Sequence, residues 1–148
     1  MIEINNLTAI EINQDFVKKV VEGVLKKEKK EGNVSIAFIG PGRMKKLNKK
    51  YRRKNRITDI LSFPELELSF EKFFKEKLKK TENLGEIVIC LRAVKKSARQ
   101  LNIPFETELK RVLIHGILHL LGYRDEKSEK EAKKMEEKEE NYLKFLNF

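Results

Sequence analysis

The sequence predicts an α+β domain, a mixed sheet of about four or five strands wrapped by helices around one buried central helix. Three observations lead there. Short stretches of period-two alternation, IEINN and VSIAFIG, interleave with stretches whose apolar residues recur every three or four positions. One segment, FETELKRVLIHGILHLLGY, is apolar on nearly every side in its second half, so it belongs inside the domain. And 148 residues with no repeat or low-complexity linker fit one folded unit spanning 1–148.

Taken in order, IEINN and TAIEI alternate like strands. Phe16, Val17, Val20, Val21, Val24 and Leu25 then form one apolar stripe with lysines opposite, the mark of a helix packed by one side. VSIAFIG alternates through Val34, Ile36 and Phe38 until Gly40, Pro41 and Gly42 turn the chain. Met44, Leu47 and Tyr51 predict the buried stripe of a second helix. ITDILSFPE reads as a strand or extended loop closed by Pro64, and LGEIVIC as a strand apolar enough to be covered on both faces. Between them SFEKFFKEKLKKTEN, with Phe70, Phe73, Phe74 and Leu78 on one side, predicts a basic amphipathic helix, expected to pack onto the domain rather than lie on a membrane. A helix over LRAVKKSARQLN stops before Pro104. Ser128 and Glu131 form a capping box for a last helix whose inner face is Ala132, Met135, Tyr142 and Leu146.

Lysine and arginine number 33 against 23 acids, a formal charge of +10. A polyanion is the natural partner, although lysine- and glutamate-rich surfaces also mark proteins that work at high temperature, so charge alone decides nothing. No run of about 18 apolar residues appears, and the N-terminus lacks the basic start and apolar middle of a signal peptide. A cytosolic protein with no membrane partner is expected. The lone Cys90 sits in an apolar run and is expected to be a buried structural thiol.

The chain's two histidines, His115 and His119, both lie in HGILHLLGYRD. Residues i and i+4 of a helix share a face about 6 Å apart along the axis, so both imidazoles can reach one ion. The bland alternative is a pair of hydrogen-bonded core histidines, which needs polar neighbours, because an unpartnered buried imidazole costs about 1–3 kcal/mol. A catalytic zinc ordinarily takes three protein groups and keeps an open position. Gly122 can end the helix and turn the chain so that Asp125 faces the same ion. The resulting H-x-x-x-H-x-x-G-x-x-D has the metzincin spacing with aspartate as the last ligand. Where such peptidases carry a glutamate base, directly after the first histidine, this chain has Gly116, which disfavours peptidase chemistry.

From Arg43 to Arg56 the chain reads RMKKLNKKYRRKNR, nine basic residues and no acid. A solvated surface is the plain reading, but an RNA backbone would relieve that self-repulsion through counterion release.

LNKKYRRKNRITDILSFP, then LGEIVIC, then HGILHLLGY resemble, in order and spacing, the three signature blocks of the YbeY endoribonuclease family of ribosomal RNA maturation factors. The resemblance spans most of the chain. It implies a metal-dependent, single-strand-selective endoribonuclease acting on the 3′ end of small-subunit ribosomal RNA and in ribosome quality control, with RNA rather than DNA as partner. It implies three histidines on zinc, one ion per chain, and His115 and His119 match the first two. At the third place this chain has Asp125; a one-residue insertion at Arg124 would put Glu126 there instead. An aspartate leaves the site less electrophilic and more open to harder ions such as manganese or magnesium. The family's functionally important arginine matches Arg52, beside Tyr51, in a phosphate-gripping role. The expected mechanism joins a metal on His115, His119 and Asp125 to charge stabilisation by Arg52, so His115 and Arg52 are the expected catalytic residues. Asp59 is expected to be structural, and no general base is assigned. Two rivals remain at this point: a metal-dependent hydrolase of another class, such as a peptidase, and a non-enzymatic ribosome-associated factor that only binds RNA.

Overall fold

The structure is a computed structural model and describes residues 1–64 and 83–148. Its order is β1 (Ile2–Asn6), α1 (Gln14–Lys27), β2 (Asn33–Ile39), α2 (Pro41–Arg52), β3 (Ile60–Pro64), β4 (Asn83–Cys90), α3 (Leu91–Leu101), α4 (Phe105–Leu120) and α5 (Glu129–Phe145). The helix expected over residues 69–83 lies outside the described residues, except that Asn83 opens β4.

Among the described residues the sheet has four strands in the order β1-β2-β4-β3. β1, β2 and β4 run parallel, and β3 closes the edge antiparallel to β4, with Leu61 opposite Val88. The α+β expectation holds, with the mixed sheet at the lower end of the expected strand number. β4 is covered on both faces, as its composition predicts: Leu84, Ile87 and Ile89 join the large core, while Cys90 joins a smaller cluster on the other face.

The two faces differ in depth. The large core is built by the apolar stripe of α1, by Leu91 and Val94 of α3, by α4, and by Met135 and Tyr142 of α5. α4 packs against α1, α3, α5, β3 and β4, so it is the central helix. Its Leu113, Ile114, Ile117 and Leu118 are fully buried. The opposite face carries α2, whose Met44 packs with Ile39, Leu61 and Cys90.

Two local expectations are corrected. TAIEI is not a strand: the Asn6 side chain donates to Ile10 O (2.7 Å) and accepts from Thr8 N (3.1 Å) and Thr8 Oγ1 (2.7 Å). A side chain that satisfies neighbouring backbone groups in this way replaces the ladder with a turn. Ile10 and Ile12 still pack on the core from that loop, which is why the alternation looks strand-like. Tyr51 is half-exposed rather than buried, its ring set edge-on to Phe63 with centroids 5.4 Å apart. The buried partner of Met44 on α2 is the polar Asn48, whose amide donates to Arg56 O (3.0 Å) and so shapes the loop leading to β3. Arg53, in the left-handed region at φ 57°, ends the helix there.

Candidate metal centre and active site

α4 ends in a Schellman turn. Tyr123 N–H donates to Leu118 O (3.0 Å) and Gly122 N–H to His119 O (3.1 Å), while Gly122 takes φ 102°, a conformation that favours glycine. This turn brings the chain back over the last turn of the helix and delivers Asp125 to the two imidazoles.

The three groups meet at one point. His115 Nε2 and His119 Nε2 lie 2.9 Å apart, His115 Nε2 is 3.8 Å from Asp125 Oδ2, and His119 Nε2 is 3.7 Å from Asp125 Oδ1. Ligands on a tetrahedral ion with bonds of about 2.0–2.1 Å stand ~3.3 Å from one another, so the observed separations bracket what a zinc-sized ion needs. Among the described residues His115, His119 and Asp125 form a group with ligand atoms within 4.8 Å of one another. Glu126, the alternative third residue, is exposed and lines the adjoining cavity rather than joining this group.

The residue missed by sequence reasoning is Glu139. It sits on α5, is buried, and its carboxylate is hydrogen-bonded to His115 Nδ1. Such a carboxylate fixes the ring and its tautomer, keeping the Nδ1 proton and turning the Nε2 lone pair toward the ion site. Burial pushes the pKa of His115 down, but the hydrogen bond and charge of Glu139, with Asp125, outweigh it and raise the pKa. For His119, burial and the charge of His115 act together and lower it, against Asp125 and Glu126. The signal in sequence was faint: Glu139 occupies a core-facing place in the Met135–Tyr142 stripe, where a carboxylate needs a partner.

A cavity of about 340 Å³ adjoins the histidines and is lined also by Arg52, Ile60, Ser62 and Glu126. Arg52 reaches it from the end of α2: Nη2 donates to Ser62 O (2.9 Å) and the guanidinium lies 5.4 Å from the Phe63 ring centroid. The structure thus brings Arg52, His115, His119 and Asp125 into one region. Asp59 stands apart, lining a second cavity, with its backbone oxygen accepting from Cys90 N (2.9 Å).

Gly116, at the place where zinc peptidases carry a glutamate, sits in close contact with the sheet. A Cβ added there would lie 2.6 Å from Ile60 Cδ1 and 3.2 Å from Ile87 Cδ1. That side of α4 packs against β3 and β4, so any side chain at this position would require the tips of Ile60 and Ile87 to shift.

A family model described as Endoribonuclease YbeY matches residues 2–147. The chain belongs to this family of RNA-cleaving hydrolases. A relative named Endoribonuclease YbeY from Thermodesulfovibrio yellowstonii is 47% identical over 74% of this chain and 64% of its own length. One of the same name from Clostridioides difficile is 34% identical over 93% of this chain and 90% of its own. A Thermotoga maritima protein solved in solution superposes with a TM-score of 0.66 at 34% identity, over 99% of this chain and 89% of the other.

Proposed function

We propose that this YbeY-family chain is a metal-dependent, single-strand-selective endoribonuclease that acts in the cytoplasm on the 3′ end of small-subunit ribosomal RNA and in ribosome quality control. The observation that carries this reading is the convergence of His115, His119 and Asp125 beside a cavity that Arg52 also lines. The donor set, two imidazoles and one carboxylate, suits zinc and leaves a fourth position for water or substrate. The carboxylate's charge also widens the choice toward manganese or magnesium.

When bound, a divalent ion supplies Lewis acidity to a phosphoryl oxygen and to water. The protein's own groups do the rest. Glu139 holds the Nδ1 proton of His115 and fixes the ring's aim. The Arg52 guanidinium, held at Nη2 by Ser62 O and at Nη1 by Tyr51 O (3.5 Å), keeps its remaining donors for phosphate oxygens, where a positive charge stabilises the pentacoordinate phosphorus. The exposed lysines of α2, among them Lys45, Lys46, Lys49 and Lys50, raise the local concentration of a polyanionic strand.

The test is the double substitution His115→Ala/His119→Ala, read by elemental analysis and by cleavage of single-stranded RNA. Metal is expected to fall from about one equivalent to background, and cleavage by about three orders of magnitude. Metal retained in the double variant would remove these residues from the ligand set. Among the described residues no helix is long and apolar enough to cross a membrane.

A further inference from the structure

A second cavity, about 1010 Å³, is larger than the one of about 340 Å³ beside the histidines. It lies beyond the carboxyl ends of β2 and β4, between one side of α3, from Arg92 to Gln100, and the loop that follows α2. α2 and α3 leave these neighbouring strands on opposite faces of the sheet, α2 with the smaller cluster and α3 with the large core. A crevice opens where helices diverge in this way, and it is where open α/β sheets commonly take their ligands. Its walls carry Arg56, Arg92, Lys95, Lys96 and Arg99 against one acid, Asp59. Arg56, Arg92, Lys96 and Arg99 are exposed, and among the described residues none of these four forms an ion pair. Four unpaired like charges around one concavity repel each other, and a polyanion lying in it would relieve that repulsion.

The crevice also adjoins the candidate active site along the chain. Asp59 is the last residue of its segment to line the crevice, and Ile60, the next, lines the cavity beside the histidines. The two concavities thus meet at consecutive residues of the chain, at the start of β3.

We propose that this crevice is a second RNA-binding site, which holds the sugar–phosphate backbone of a single strand at a distance from the bond being cut. The proposal rests on the endoribonuclease reading and adds to it: long substrates are gripped at two places, one at the histidines and Arg52, the other at Arg92, Lys96 and Arg99. Because the second set offers exposed cations, whose natural partners on RNA are phosphate oxygens, the contact is to the backbone and insensitive to sequence.

The experiment measures the dissociation constant of a fluorescent single-stranded RNA of about 20 nucleotides, long enough to reach both concavities, as a function of salt. The variant is Arg92→Gln/Lys96→Gln/Arg99→Gln. The control, Lys19→Gln/Lys26→Gln/Lys30→Gln, removes the same charge from exposed positions on or next to α1. The crevice variant is expected to bind at least tenfold more weakly, with a salt slope smaller by about 2, since each phosphate contact on a single strand contributes about 0.7. The control is expected to stay within twofold of wild type. Equal losses in both triple variants, or none in the crevice variant, would overturn the second site while leaving the nuclease reading intact. Wild-type protein that binds no RNA would overturn both.

Discussion

The candidate active site has two kinds of wall, and they are held in different ways. His115 and His119 stand on α4, packed on several sides by α1, α3, α5 and the sheet, and His115 is further fixed by Glu139 from the last helix. Arg52 stands at the final turn of α2, at the surface, donating to Ser62 O and, at 3.5 Å, to Tyr51 O, with its guanidinium beside the ring of Phe63. The difference follows from what each must do. An ion site is selective only if its donors keep their spacing to within a few tenths of an ångström, whereas a long guanidinium can follow a mobile phosphate at little cost. The rigid wall is expected to govern metal affinity and the mobile wall the rate.

Arg52→Ala tests the mobile wall and has the largest expected effect here. Removing a charged donor aimed at developing phosphate charge costs about 10²–10³ in rate, and nothing in the cluster of His115, His119 and Asp125 depends on it. Cleavage should fall by about 10²-fold while bound metal, by elemental analysis, stays at the wild-type level. Arg52→Lys should recover only part of the loss, because an ammonium cannot make the paired contacts of a guanidinium. Loss of metal in Arg52→Ala would show that the two walls are not independent.

Glu139→Ala tests the rigid wall with a smaller effect of the opposite kind. Deleting the partner of a metal-binding imidazole lowers metal affinity by about 10–100-fold. A chelator competition titration should show that loss, with saturating metal restoring most of the cleavage. Glu139→Gln should lie between the two, since its amide oxygen still accepts from Nδ1 but brings no charge. Wild-type affinity in the alanine variant would reduce Glu139 to a buried core acid with no bearing on the site.

Much of the rigid wall was legible in the sequence because its causes are local. The helical spacing of His115 and His119, the turn at Gly122 and the capping box at Ser128 are each set within a few residues, and Ser128 Oγ does accept from Glu131 N at 3.1 Å. Glu139 was not legible, because its partner lies 24 residues away and only the packing of α5 against α4 brings them together. The same limit hid the surface position of Tyr51. Its spacing from Met44 and Leu47 fits a buried stripe, but the last turn of α2 runs past the edge of the cluster it packs on, and Asn48 takes the inner place. Nor can one-dimensional spacing reveal that Arg56 from one segment and Arg92, Lys96 and Arg99 from another share a crevice.

The loop that carries Asp125 has its own anchor, and breaking it gives the smallest effect and the one that depends on pH. Glu28, at the end of α1, accepts from Tyr123 OH (2.7 Å), Lys138 Nζ (2.8 Å) and Tyr142 OH, tying the loop after Gly122 to α1 and α5. Burial alone would raise the pKa of Glu28, but bonds from Lys138, Tyr142 and Tyr123 outweigh it and hold the carboxyl below its ordinary 4.5. A carboxylate whose folded pKa is depressed contributes stability that is fully present above the unfolded value and is lost as pH falls through the folded one. Glu28→Gln should therefore cost about 1–2 kcal/mol at pH 7, the scale of charge-assisted hydrogen bonds. As pH falls below 4.5 and then through the depressed folded value, the wild-type carboxyl becomes neutral and the gap between the two proteins should close. Urea unfolding at pH 7 and at successively lower pH checks this. A gap that stayed constant into the acid range would mean that Glu28 acts through its shape in the core and not through its charge, leaving the position of Asp125 to the glycine turn alone.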